Sequence, residues 1–236
     1  MSVPAETIGS ATLIPNATES VVVALTAPES PAAEQFRVFH QRLERLGAAR
    51  PLRVVAISSS ARREGRTTVA VNLALTAAQA GRRVVLVECD LRKPSLSALL
   101  DLTPRAGLAE VLTGGAELGQ ALCRVGNLAV LCAGSARDPA GALRSPRLPE
   151  LFADLRAAYD LVLLDAPPAL AFADADRLAA AADGVLLVVR AHSTPREVAR
   201  LAAAALGTKL VGVVLNAVDT AGSLHARYLY ADPTAA

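Results

Sequence analysis

Glu64-Gly65-Arg66-Thr67-Thr68 stands between an apolar run, "LRVVAISS", and a helical pattern, "TTVAVNLALTAAQA". A turn placed so could surround a phosphate with backbone N–H groups, add the favourable potential of a helix N-terminus, and offer the Thr67 hydroxyl to Mg²⁺. Against the phosphate-loop pattern G-x-x-x-x-G-K-[ST], only Gly65 and Thr67 match. An N-cap pair at Thr67-Thr68 is the competing structural reading.

Three further apolar runs end in polar residues suited to the same chemistry. "VECD" carries Glu88 and Asp90, "LVLLDAPP" carries Asp165, and "VVLN" closes on Asn216. An acid closing an apolar strand beside a phosphate loop can hold a metal or order its water shell, so Thr67, Glu88, Asp90 and Asp165 form a candidate magnesium set. A lone Asp after a strand is also a common helix cap. Asn216 has donor and acceptor groups suited to an adenine edge, and would equally make an Asx turn.

Positioning these residues requires strands that end on one edge. The apolar runs at "LRVVAISS", "RVVLVEC", "LAVLCAG", "YDLVLLDA", "DGVLLVVR" and "LVGVVLNAV" are continuous rather than alternating, with Ala/Leu-rich helical segments between them. That pattern predicts a parallel sheet covered on both faces, whose ligands sit beyond the strands' carboxyl ends. Upstream, Ser30-Pro31 starts a helix with Phe36, Phe39, Leu43 and Leu46 at helical spacing and Gly47 as its stop. Residues 1–30 carry acid but no base, with one β-like run, "SVVVALTA", and read as an extended arm.

Composition excludes several classes. The net charge is +2 without basic blocks, which argues against nucleic acid and against a lipid surface as direct partners. No apolar run nears the ~18 residues of a membrane span, and the first basic residue is Arg37, so no signal peptide is expected. Cys89, Cys123 and Cys132 sit in or beside apolar runs without metal-ligand spacing, as buried small side chains do. A cytoplasmic chain is expected. Lysine occurs only at Lys93 and Lys209, so arginine is expected where other chains use lysine.

Taken together, "APESPAAEQFR", "SSSARREGRTTVAVNLALTAAQAGRRVVLVECDLRKPSL", "GLAEVLTGG", the stretch from "LAVLCAGSARDP" to "LLDAPPALAFADA", "DGVLLVVR" and "LVGVVLNAV" resemble the bacterial tyrosine kinases (BY-kinases) over residues 26 to 219. The resemblance implies a three-layer α/β fold, a mostly parallel sheet flanked by helices, of the P-loop NTPase class with deviant Walker motifs. It implies a domain over residues 31–222, between the 1–30 arm and a 223–236 tail. Mg-ATP is the implied cofactor, with Arg63, Glu64, Gly65, Arg66, Thr67, Thr68 and Asn216 binding nucleotide and Arg66, Asp90 and Asp165 in the catalytic positions. Arg92 and Pro94 keep the family's D-x-R-x-P pattern. It further implies a membrane polysaccharide co-polymerase as partner, recruitment to the inner membrane through that partner's cytoplasmic tail, a homo-oligomeric ring, and autophosphorylation at Tyr228 or Tyr230.

Where the family loop reads P-G-E-G-K-T, this chain has Arg62-Arg63-Glu64-Gly65-Arg66-Thr67. A glycine at 63 would adopt φ > 0 freely, whereas a side chain there costs roughly 1 kcal/mol. At 66 a planar fork replaces a compact ammonium, and Glu88 adds a methylene to an acid that is Asp in the family. The ring helix motif E-x-x-R-x-x-R becomes Glu34-x-x-Arg37-x-x-His40, weakening that contact or making it pH-sensitive. These departures lead to the expectation of a pseudokinase-like regulator of exopolysaccharide or capsule production with weak or lost ATP binding. An active autokinase is the alternative, and a chromosome-partitioning type of positioning ATPase, which would need a K-G-G loop, a more distant one.

Overall fold

The computed structural model describes residues 12–15 and 21–218. The apolar runs form strands β2 (Val54–Ser59), β3 (Val84–Glu88), β5 (Leu128–Leu131), β6 (Leu161–Asp165), β7 (Gly184–Arg190) and β8 (Leu210–Val218). Two short strands join them, β1 (Thr12–Pro15) and β4 (Leu122–Val125), in one sheet of order β1-β8-β7-β2-β6-β3-β5-β4. Every pairing is parallel except β4 with β5.

Side chains alternate between the two faces of the central strands, as the pleat requires. Val55, Ile57, Val84, Leu86 and Leu163 pack under α1 (Val23–Thr26), α2 (Pro31–Ala49) and α3 (Arg66–Gln79). Val54, Ala56, Val85, Val87 and Leu164 pack against α5 (Leu108–Thr113), α8 (Arg147–Ala158), α9 (Ala173–Ala181) and α10 (Arg196–Leu206). Shorter helices α4 (Leu96–Leu99), α6 (Leu118–Ala121) and α7 (Pro139–Leu143) complete the layers. The three-layer architecture inferred from continuous apolar strands is the one observed.

Helix α3 lies between the sheet and α2, so it is buried from Val69 to Ala78 rather than along one stripe. It ends where the sequence predicted, with Gly81 at φ 86°. At the start of α2, the Ser30 hydroxyl accepts from Ala33 N and Pro31 occupies the first turn. Gly47 does not stop α2, which continues to Ala49. The Arg50 guanidinium donates to the Asp183 carbonyl (2.7 Å) and anchors the helix end instead.

Two expectations about the arm are corrected. The β-like run at 20–27 contains helical α1, because Val22, Val23 and Ala24 bury against α3 and its backbone bonds to Asn72. The Asn72 amide accepts from Ala24 N (2.9 Å) and donates to Val21 O (2.8 Å), a fully buried side chain that satisfies the turn. The strand of this region lies earlier, with Thr12 and Leu13 paired to Val214 and Leu215. The tail with Tyr228 and Tyr230 lies outside the described residues.

Candidate nucleotide site

Parallel pairing brings the carboxyl ends of β2, β3, β6, β7 and β8 to one edge, with Glu88 opposite Asp165 and Arg190 opposite Asn216. The loop from β2 to α3 crosses this edge and is pinned from three sides. The Ser58 hydroxyl donates to Pro167 O (2.8 Å), and the Asn216 amide donates to Glu64 O (2.9 Å). The Glu64 carboxylate turns into the loop, accepting from Ser60 N (2.7 Å), Ala61 N (3.1 Å) and the Thr194 hydroxyl. Glu64, expected at the nucleotide, therefore shapes the loop that would hold it.

Two loop residues adopt left-handed backbone, Arg63 at φ 63° and Gly65 at φ 87°. At Gly65 a Cβ would fall 2.0 Å from the Asn216 amide nitrogen, so a side chain on this left-handed backbone would also push that amide off Glu64 O. Arg63 takes the conformation glycine would adopt freely, the strained outcome read from the sequence.

Arg66 opens α3 and reaches across the strand ends. Its Nε donates to Asp165 Oδ1 (2.8 Å) and its Nη2 to Asp90 Oδ2 (3.0 Å). The three side chains are nearly dry, at 11%, 6% and 1% exposure for Arg66, Asp90 and Asp165. Burial alone would lower the Arg66 pKa, but the adjoining Asp165 and Asp90 carboxylates raise it. Burial pushes the Asp165 carboxyl up, against the opposing pull of Arg66 and Thr67. The Thr67 hydroxyl donates to Asp165 Oδ2 (2.7 Å), and Gly65, not a threonine, is the N-cap of α3. The N-cap reading of Thr67-Thr68 is thereby excluded.

Glu88 departs from its expected place among metal ligands. One carboxylate oxygen accepts from Ser95 N and from Leu96 N (2.7 Å), and the other from Ala133 N (3.0 Å). Burial pushes its pKa up despite these three donors. It is a staple between the chain after β3 and the end of β5.

A cavity of about 350 Å³ opens in front of this cluster, lined by Arg63, Arg66, Thr67, Thr68, Asp90 and Lys93 among others. Arg62 and Ser95 also line it. Lys93 and Ser95 were not singled out from sequence. The signal was available for Lys93, one of two lysines in the chain, set inside the D-x-R-x-P turn. Arg92 of that turn points elsewhere, pairing with Asp174 (3.1 Å) and stacking on the Phe172 ring (4.7 Å). Asn216 is 7% exposed with its amide donor on the loop, so it positions Gly65 and Glu64.

Outside the site, the ring-helix residues separate. Glu34 and Arg37 pair at the surface (2.6 Å), while His40 is buried at 5% exposure with its pKa lowered by burial. Burial also pushes the Cys132 thiol up to about 12 and Cys89 well above its ordinary value, so both stay protonated, as inert core thiols.

The family model described as an AAA domain matches residues 52–201, which includes the loop, both aspartates and Arg66. The tyrosine-protein kinase YwqD of Bacillus subtilis is 38% identical over 215 residues, covering 89% of this chain and 90% of YwqD. The chain belongs to the bacterial tyrosine kinase family. As a BY-kinase family member, it is also similar to the succinoglycan biosynthesis transport protein ExoP of Rhizobium meliloti. The two are 34% identical over 84% of this chain but only 26% of ExoP, so the chain spans about a quarter of that longer relative. Among solved structures, the kinase domain of the Escherichia coli tyrosine kinase ETK superposes with a TM-score of 0.85 at 25% identity, covering 92% of this chain and 93% of ETK's. No helix among the described residues is long and apolar enough to cross a membrane.

Proposed function

We propose that this BY-kinase family member is a pseudokinase-like regulator of exopolysaccharide or capsule biosynthesis. It works at the cytoplasmic face of the inner membrane, docked on the tail of a membrane polysaccharide co-polymerase, and transfers phosphate poorly. The observation that carries the reading is the Arg66 fork closed on Asp90 and Asp165. In-line phosphoryl transfer depends on placing charge to within about 1 Å, and here the loop cation is bound to the acids rather than left as a point charge before the phosphates. ExoP supports the pathway, since it joins a similar segment to a much longer transport protein. The burial of His40 supports a weakened homo-oligomeric ring, because one of the three contact positions does not reach the surface.

A second reading, an active autokinase, is favoured by the assembly of Thr67, Asp90 and Asp165 at one point. In it Tyr228 or Tyr230 of a neighbouring copy accepts the phosphate. Phosphotyrosine immunoblotting of cells co-expressing the chain and its membrane partner, beside an active control kinase, separates the two. No label is expected on this chain; labelling comparable to the control would establish the autokinase.

A further inference from the structure

Magnesium is the metal the family implies, and the residues present do not fit it as arranged. Mg²⁺ requires oxygen ligands in near-octahedral geometry at about 2.0–2.1 Å. Asp165 accepts from Arg66 at Oδ1 and from Thr67 at Oδ2, and Asp90 accepts from Lys93 N at Oδ1 (3.2 Å) and from Arg66 at Oδ2. The Thr67 hydroxyl is turned to Asp165, and both Glu88 oxygens hold backbone amides. A metal would have to evict a guanidinium from a nearly dry pair of carboxylates.

We propose that Arg66 is a tethered substitute for the divalent cation, so that the cavity takes the polyphosphate of a nucleoside di- or triphosphate free of metal. The inference rests on the loop being the nucleotide site, as in the function proposed above. A guanidinium has five N–H donors. Two are used on Asp165 and Asp90, which leaves three on the terminal nitrogens of a side chain that lines the cavity. One planar fork thus does what a lysine and a metal share elsewhere: it neutralises the strand-end acids and still presents positive charge to phosphate oxygens.

The charge of the cavity agrees. Arg62, Arg63, Arg66 and Lys93 line it against the carboxylates of Glu64 and Asp90, and Glu64 is turned to loop amides. A lining with that excess of cations complements the several negative charges of an unchelated polyphosphate. Chelation by Mg²⁺ would cancel part of the charge the cavity is built to meet.

The test is equilibrium binding of ATP to the full chain by calorimetry, in excess MgCl2 and in EDTA, for wild type and Arg66→Lys. For wild type the affinity is expected to change less than about threefold when Mg²⁺ is removed, whereas Arg66→Lys loses about tenfold or more, 1.4 kcal/mol. A wild-type loss above threefold in EDTA, or no ATP binding in either buffer, overturns the proposal. The wild-type pair of measurements decides even if the variant fails to fold. Failure here leaves the regulator reading intact, whereas phosphotyrosine on the chain would overturn that reading and leave the metal dependence of ATP binding to be read on its own.

Discussion

Glu88 and Asp165 sit opposite one another on neighbouring parallel strands, each about 1% exposed, each the last residue of its strand. Asp165 meets side chains, the Arg66 guanidinium and the Thr67 hydroxyl. Glu88 meets only backbone, at Ser95, Leu96 and Ala133. Position at the strand end is therefore not enough to assign a role. Glu88's extra methylene carries its carboxylate to the start of α4 and the end of β5, while the shorter Asp165 stays under the first turn of α3.

The largest effect should come from breaking the Asp165 side of this pair. Asp165→Ala leaves Arg66 buried with Asp90 alone, and losing one partner of a buried ion pair costs about 3–5 kcal/mol. Urea unfolding followed by circular dichroism measures it. A loss below about 1 kcal/mol, the worth of an exposed pair, would show that the cluster is solvated and that the two acids do not differ in this way.

Glu88→Gln probes the other side. The variant keeps the size but puts an amide NH2 where a carboxylate oxygen accepts from backbone, costing about 1–3 kcal/mol. Glu88→Asp should not recover that loss, because the shorter chain cannot span the amides of Ser95 and Leu96 and that of Ala133 at once. Both variants are expected to leave ATP affinity within about threefold of wild type, since Glu88 reaches the cavity only through the Ser95 amide and leaves the cations Arg62, Arg63, Arg66 and Lys93 in place. A large change in ATP affinity with Glu88→Asp would return Glu88 to the metal set.

These differences mark how far the sequence was legible. Continuous apolar strands and intervening helices gave the sheet and its two covered faces, because a parallel strand buried on both sides carries that pattern in every residue. Thr67 was legible from the phosphate-loop pattern, and Asp90 and Asp165 from the polar residues that close two apolar runs. What escaped depended on contacts between distant parts of the chain: α1 is helical because Asn72 satisfies it from α3, and Glu64 faces inward because Thr194 meets it from beyond β7. The Arg66 fork was recognised as a misfit in shape, but its closure on two acids is a matter of reach across strands that no spacing encodes. β4 was missed because three half-buried residues and the exposed Arg124 at a sheet edge leave no apolar run to read.

The smallest effect concerns two residues of the loop itself. Arg63 and Gly65 share left-handed backbone, but for different reasons. Gly65 is required by the Asn216 amide, whereas Arg63 is exposed, with no ion-pair partner among the described residues. Arg63→Gly should therefore remove the αL penalty and stabilise the fold by about 1 kcal/mol, offset in part by the greater freedom of glycine in the unfolded chain. Thermal unfolding gives the stability, and ATP binding gives the complementary loss, since the substitution deletes one cation from the cavity lining. Higher stability with weaker ATP binding would mean that the arginine is kept for its charge at a cost in conformation. If stability rises and affinity is unchanged, Arg63 is tolerated rather than used, and Arg66 carries the cationic function of the loop without its help.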